Sequence, residues 1–179
     1  NVGEKDMKIK ISINGTEISA EISDDDAKKI GAVKGKKTGY ERVIDDYYFY
    51  VNAIGYVPTV ADENEDFDNN TYNIGNYYNS EELAWSNARA DQLLAQMRQW
   101  QALNDKSISE KDWNDESKKK WFVAYSYGAE KLYADYYYIM RLPNTIHFAT
   151  KEKAEEAIEV FRDELIWYFV EYQQRLDEE

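Results

Sequence analysis

The chain has 179 residues, 22 Lys and Arg against 35 Asp and Glu, a net charge of −13, and no cysteine. Such a length suits one domain or two very small ones, and the missing cysteines exclude a disulfide framework, a thiolate nucleophile and thiolate metal sites. The charge argues against direct DNA binding, the sixteen Tyr, six Phe and five Trp exclude wholesale disorder, and no apolar run approaches the roughly 18 residues that span a bilayer. The expectation is an acidic protein of a reducing cytoplasm, with no signal-peptide core and no membrane partner.

Residues 1–6 read as an added remnant or a disordered lead. From Met7, Ile9, Ile11 and Ile13 alternate with Lys8, Lys10 and Ser12, and Ile18, Ala20 and Ile22 alternate again beyond Asn14-Gly15. Two alternating runs about Asn-Gly predict a β-hairpin, because a tight primed turn needs positive φ. Ser23 is placed to cap a short helix from Asp24 to about Ile30, whose first turn carries three Asp favoured by the helix dipole. Residues 7–31 therefore form a predicted ββα module. The aperiodic GAVKGKKTG at 31–39 opens a linker over 32–41. Residues 42–179 form an aromatic-rich α+β domain.

In that domain a strand over 46–51 turns near Asn52–Gly55 into a strand over 56–60. An acidic loop and a short segment, 72–78, lead to a helix with Asn79 at its N-cap, Glu82 three residues on, and Leu83, Ala90, Leu94 and Met97 on one face through about Ala102. The pattern then recurs. Strands over 121–127 and 132–140 flank Gly128-Ala129, Pro143 breaks the second, a short strand covers 145–149, and Thr150 caps a helix to about residue 174. Its apolar stripe is Ala154, Ala157, Ile158, Phe161, Leu165, Tyr168 and Tyr172. A shift of 71 residues lays Asn79 on Thr150, Leu83 on Ala154 and Leu94 on Leu165, an internal pseudo-repeat. The predicted fold class is α+β: antiparallel β-sheet covered by two long helices, with the N-terminal hairpin module appended.

Catalytic signatures are sparse. The single histidine, His147, sits in an apolar segment and reads as structural. No nucleophile elbow, phosphate-cradling glycine loop or dinucleotide fingerprint is present. The run Asp62-Glu-Asn-Glu-Asp-Phe-Asp68 starts like a calcium loop, but Phe67 stands where the turn needs Gly and Asn73 where a bidentate Glu closes the site. The expectation is no catalytic residue, no metal and no cofactor.

Charge is the larger signal. Residues 43–88 contain no Lys or Arg and hold Asp45, Asp46, Asp62, Glu63, Glu65, Asp66, Asp68, Glu81 and Glu82, which carry −9 of the −13. A second array, Glu152, Glu155, Glu156, Glu159 and Asp163, lines the last helix opposite its apolar stripe. Each set reads either as a solvated face or as carboxylates imitating nucleic-acid phosphates before a basic protein cleft. Asp62, Glu63, Glu65, Asp66 and Asp68, with the five helix acids, are the candidate partner-binding residues. Leu165-Ile-Trp-Tyr-Phe-Val170 is apolar all round, so Ile166, Trp167 and Val170 either bury against a second layer or offer a patch for self-association.

Several stretches together resemble a known group: MKIKISINGTEIS at 7–19, KTGYERV at 37–43, NYYNSEELAWSNARADQLLAQMR at 76–98, and FATKEKAEEAIEVFRDELIWYFVEY at 148–172. They resemble small proteins encoded by phages and prophages of Gram-positive bacteria. Some with this ending and an MKIKIS-type hairpin look like anti-CRISPR inhibitors of type II-A Cas9. The resemblance implies a stoichiometric protein inhibitor in the host cytoplasm, with Cas9 or its guide-RNA complex as partner, and not an enzyme. It transfers no site residue. The alternatives are a phage accessory regulator of another host protein, a carboxylate-metal hydrolase, and an inhibitor that promotes guide-RNA damage.

Overall fold

The computed structural model describes residues 7–13, 16–23 and 38–172. Two compact units divide the chain between Thr38 and Gly39. In the first, β1 (Met7–Ile13) pairs antiparallel with β2 (Thr16–Ile22), from Met7 opposite Ile22 to Ile13 opposite Thr16. That register leaves two residues for the turn, the length that Asn-Gly serves. Asn14-Gly15 itself, the helix expected over 24–30 and most of the expected linker lie outside the described residues.

The second unit runs β3 (Tyr47–Phe49), β4 (Thr59–Ala61), α1 (Asp66–Asn73), α2 (Glu81–Asn104), α3 (Glu110–Trp113), β5 (Lys120–Ser126), β6 (Lys131–Tyr137), α4 (Lys151–Val160) and α5 (Arg162–Val170). The fold is mixed α+β, but its strands form separate two-stranded antiparallel sheets, not one larger sheet. The reason lies at the strand edges. Phe49 and Tyr78 exchange backbone hydrogen bonds of 2.7 and 2.9 Å, as Trp121 and Phe148 do at 3.0 and 2.7 Å. Both bridging segments then turn straight into helices, so neither bridge grows into a ladder. The segment 145–149 is accordingly a single bridge and not a strand.

The first hairpin is shorter than its aromatic run predicts. Beyond Phe49, the Asn76 side chain replaces a paired strand: its Oδ1 accepts from Val51 N–H and its Nδ2 donates to Val51 O, both at 2.8 Å. Asn52 Oδ1 accepts from the N–H groups of Ile54 and Tyr56, closing the turn. Opposite, Pro58 has no N–H to offer a ladder. The second hairpin follows its sequence pattern closely, from Lys120 opposite Tyr137 to Ser126 opposite Lys131.

Ser80, not Asn79, caps α2, with its Oγ accepting from Leu83 N–H at 3.3 Å. Asn79 instead anchors the incoming chain, donating through its N–H to Gly39 O and through Nδ2 to Glu41. α2 then serves two cores. Its first half packs Leu83, Ala84 and Ala88 against Val57 and Tyr78. Its second half packs Leu93 and Met97 against Phe148, Ala154, Ala157 and Leu165. α4 lies on the β5–β6 hairpin and α2 packs on α4 and α5. The expected last helix is divided at Phe161, whose φ of −110° and ψ of 18° interrupt the helical geometry. The bonds Phe161 N–H to Ala157 O and Leu165 N–H to Phe161 O persist through the break. Phe161 is only partly buried and meets Trp100 edge-on at 6.4 Å. Among the described residues no helix is long and apolar enough to cross a membrane.

Candidate functional site

The acidic run at 62–68 divides into buried and exposed members. Asp62 is 1% exposed and Asp68 4%, so neither joins a surface array, which corrects the expectation for these two. Asp62 accepts from Arg42 Nε at 2.7 Å and Nη2 at 2.9 Å, from Tyr77 Oη at 3.0 Å and from Asn64 N–H at 2.9 Å. The paired guanidinium, aided by the Asn64 N–H and the Tyr77 hydroxyl against the cost of burial, holds its carboxyl down at about 2. Asp68 accepts from Tyr48 Oη at 3.0 Å and from the N–H groups of Glu63 and Glu65 at 3.1 and 3.0 Å. Burial raises the pKa of both tyrosines first, with the Asp62 bond adding to the rise at Tyr77, which reaches about 12, and the Asp68 bond at Tyr48. The Tyr48 and Tyr77 rings stack at 4.0 Å.

This network also explains α1, which the sequence pattern does not reveal. DFDNNTYN holds poor helix formers and no apolar stripe. Its start is closed locally, Asp68 accepting from the N-cap Glu65 N–H, and the tertiary support is Tyr48, which donates to Asp68, and the burial of the Thr71 face. Arg42 Nη1 further fastens it by donating to Asn69 Oδ1 at 2.6 Å.

With Asp62 and Asp68 turned inward, Glu63, Glu65 and Asp66 remain exposed. The hairpin register brings a second acidic pair beside them. Asp45 N–H donates to Asp62 O at 3.0 Å and Asp62 N–H donates to Asp46 O at 2.9 Å, and both Asp45 and Asp46 are exposed. Five exposed carboxylates thus share one corner of the second unit, and none forms an ion pair among the described residues. Arg42, the cation just before the base-free stretch, is committed to Asp62. Beside these acids stand Tyr47, 65% exposed, and Phe67, 51% exposed. Sequence reasoning counted Asp45 and Asp46 in the acidic stretch but left them out of the site. The signal that finds them is strand register: Tyr47 opposite Ala61 sets residues 45–46 beside residues 62–63.

The second acidic array is exposed but differently surrounded. Glu152, Glu155, Glu156 and Glu159 lie on α4 and Asp163 on α5, all solvent-facing. Lys151 pairs with Glu155 at 2.9 Å, Lys153 with Glu156 at 2.6 Å, and Arg162 with Glu159. Glu152 is bonded to its own N–H and to the Thr150 hydroxyl, which lower its pKa. This face alternates in sign, and its long-range field is correspondingly weak. At the end of α5, Ile166 and Val170 are exposed while the Arg89 guanidinium lies 4.0 Å from the Trp167 ring centroid. Arg89 also forms a two-pronged pair with Glu164 at 2.8 and 3.0 Å.

Among the described residues no group of three or more His, Asp or Glu is placed to hold a metal ion. The chain matches no protein-family model, and neither a curated protein nor a solved structure matches it.

Proposed function

We propose that this protein is a phage anti-defence inhibitor that binds, in stoichiometric amounts, a basic protein evolved to hold nucleic acid. The sequence resemblance nominates Cas9 or its guide-RNA complex. The observation that carries the reading is the corner formed by Asp45, Asp46, Glu63, Glu65 and Asp66, unpaired and flanked by Tyr47 and Phe67. Unpaired carboxylates raise the on-rate toward a positive cleft, and exposed aromatics supply contact area once docked. The α4 array is the second surface to test, because its cations offset most of its charge. The site of action on this reading is the cytoplasm of a bacterial host.

A programmed DNA-cleavage assay with pull-down from a Cas9-containing lysate tests it. Inhibition should saturate near one inhibitor per nuclease and survive EDTA treatment of the inhibitor. Full cleavage with capture of an unrelated host protein would replace Cas9 by the accessory-regulator reading. Turnover at substoichiometric inhibitor with cut guide RNA would replace blocking by guide-RNA damage.

We also infer that the domain over 42–179 holds a duplicated hairpin-then-helix unit and that the β1–β2 hairpin belongs to a semi-independent N-terminal module. Supporting the duplication are the bridges Phe49–Tyr78 and Trp121–Phe148, whose first members lie 72 residues apart, and the caps Ser80 and Thr150, which like Tyr78 and Phe148 lie 70 apart. With that offset Ala84 falls on Ala154 and Ala88 on Ile158, all four buried. Exposed Ile166 and Val170 beside Trp167 support self-association through α5, which light scattering over a concentration series would detect.

A further inference from the structure

Away from the acidic corner, a cavity of about 340 Å³ opens among the end of α2, the segment before α3, and the chain that follows β6. Arg98, Trp113, Arg141 and His147 line it, with Gln101 and Ser107. Acids outnumber bases in this chain by 35 to 22, yet neither Arg98 nor Arg141 forms an ion pair among the described residues. Arg141 lies instead over the Trp113 ring, 5.3 Å from its centroid. His147 is 8% exposed, and its Nε2 is the buried side-chain atom that lacks a hydrogen-bond partner among the described residues. Its Nδ1 is 3.1 Å from Thr145 O. A carbonyl only accepts, so in the neutral ring Nδ1 carries the hydrogen and Nε2 presents a bare lone pair.

We propose that this cavity binds a small phosphate anion, either inorganic phosphate or a phosphate monoester, held by Arg98 and Arg141 and by one proton shared with His147 Nε2. Both guanidiniums stand exposed at the cavity without a carboxylate partner and so attract an anion, and the bare Nε2, which has almost no accessible surface, gains a donor when the ring turns toward that anion. A carboxylate or sulfate answers only the first at neutral pH. A phosphate monoester, with its second pKa near 6, answers both in its singly protonated form. The surroundings favour negative charge. Arg98 of α2 and Arg141 of the chain after β6 line the cavity with His147, Lys120 of β5 lies with its Nζ 5.8 Å from the Trp113 ring, and no carboxylate lines the cavity. Burial, opposed by the Thr145 bond and assisted by the charge of Arg141, keeps the free imidazole neutral. Binding above pH 7 therefore takes up a proton from solvent. Beyond Ser107 and Ile108, which the two share, a second cavity of about 600 Å³ is lined by five lysines together with Asp112 and Glu152; Lys118 is paired with Asp112 and Lys151 with Glu155, so Lys106, Lys119 and Lys120 carry its excess of positive charge.

His147 is the sole histidine, so its imidazole gives one spin system in a nitrogen-correlated spectrum of the full chain. Titration with inorganic phosphate and with adenosine monophosphate, at fixed ionic strength, should move the Nε2 resonance saturably toward the protonated position. Sodium chloride and sodium sulfate should move it little. Calorimetry in buffers of different ionisation enthalpy should register uptake of about one proton per site. Arg98→Gln and Arg141→Gln should each weaken binding about tenfold. His147→Phe preserves a ring against Trp113 and Phe122 and should abolish the proton uptake without unfolding the protein. Tighter binding of the nucleotide identifies an ester as the ligand, and tighter binding of phosphate a free anion. An imidazole signal that neither probe moves, or that chloride moves equally, overturns the proposal, as does undiminished binding in both arginine variants.

Discussion

Replacing Asp62 by Asn removes one charge and changes almost no volume, yet it should destabilise the second unit severely. The carboxylate receives four hydrogen bonds, two on each oxygen: Arg42 Nη2 and Asn64 N–H on Oδ1, Arg42 Nε and Tyr77 Oη on Oδ2. An amide keeps one acceptor oxygen, so whichever way it turns, two donors face its NH₂. One of those donors belongs to the Arg42 guanidinium, and losing a bond to a charged group costs about 1.5–3 kcal/mol. Breaking a buried pair from one side costs about 3–5 kcal/mol, which agrees with two such losses. At about 2–4 °C per kcal/mol for a unit of this size, the melting temperature should fall by roughly 6–20 °C. Glu63→Gln, Glu65→Gln and Asp66→Asn together should cost about 1 kcal/mol or less, since these side chains are exposed. Urea and thermal unfolding, followed by far-UV circular dichroism, compare the two variants directly. If Asp62→Asn melts within two or so degrees of the parent, or the triple variant loses as much as Asp62→Asn, the division of the acidic run into buried and exposed members is wrong.

Phe148→Ala should cost about 3–5 kcal/mol in urea unfolding, because the ring is fully buried between α2 and α4. Phe161→Ala should cost less than Phe148→Ala, its ring being only partly buried at the helix break. Acid should lower stability in two stages. The folded pKa of His147 lies below 6.5, so the unfolded chain takes the proton first and stability declines as pH falls below 6.5. Asp62, lowered from 3.8 to about 2, contributes stability that is present above pH 4 and lost as pH falls toward 2. Urea midpoints at pH 7.5, 5.5, 4.5 and 2.5 measure both stages, and His147→Phe should flatten the first stage alone.

The elements that were legible in the sequence are those with strict local signals. The alternation about Asn14-Gly15 predicts strands that pair in the observed register, and the spacing of Ala154, Ala157 and Ile158 predicts the face that α4 buries. What was hidden depends on distant partners. α1 is held from outside by Tyr48, which donates to Asp68, and by Arg42, and the first hairpin stops at Phe49 because Asn76 reaches across 25 residues to Val51. The same cause limits the site. Asp62 and Glu63 are neighbours of equal charge, and only the presence of Arg42 and Tyr77 sends one inward and leaves the other in solvent. Charge counting therefore found the acidic region but not which of its carboxylates face outward.

That distinction shapes the experiment on function, because neutralising Asp62 and Asp68 along with the rest would confound loss of binding with unfolding. The direct measurement is the affinity for Cas9 loaded with guide RNA, at low and at high salt, of the parent and of a variant carrying Asp45→Asn, Asp46→Asn, Glu63→Gln, Glu65→Gln and Asp66→Asn. Charge steering is screened beyond about 8 Å at physiological ionic strength, so the parent should bind much more weakly in high salt. The variant should bind weakly at low salt already, with a flattened salt dependence and an unchanged circular dichroism spectrum. Equal affinities for parent and variant at both salt concentrations would contradict the account and remove the acidic corner from the mechanism.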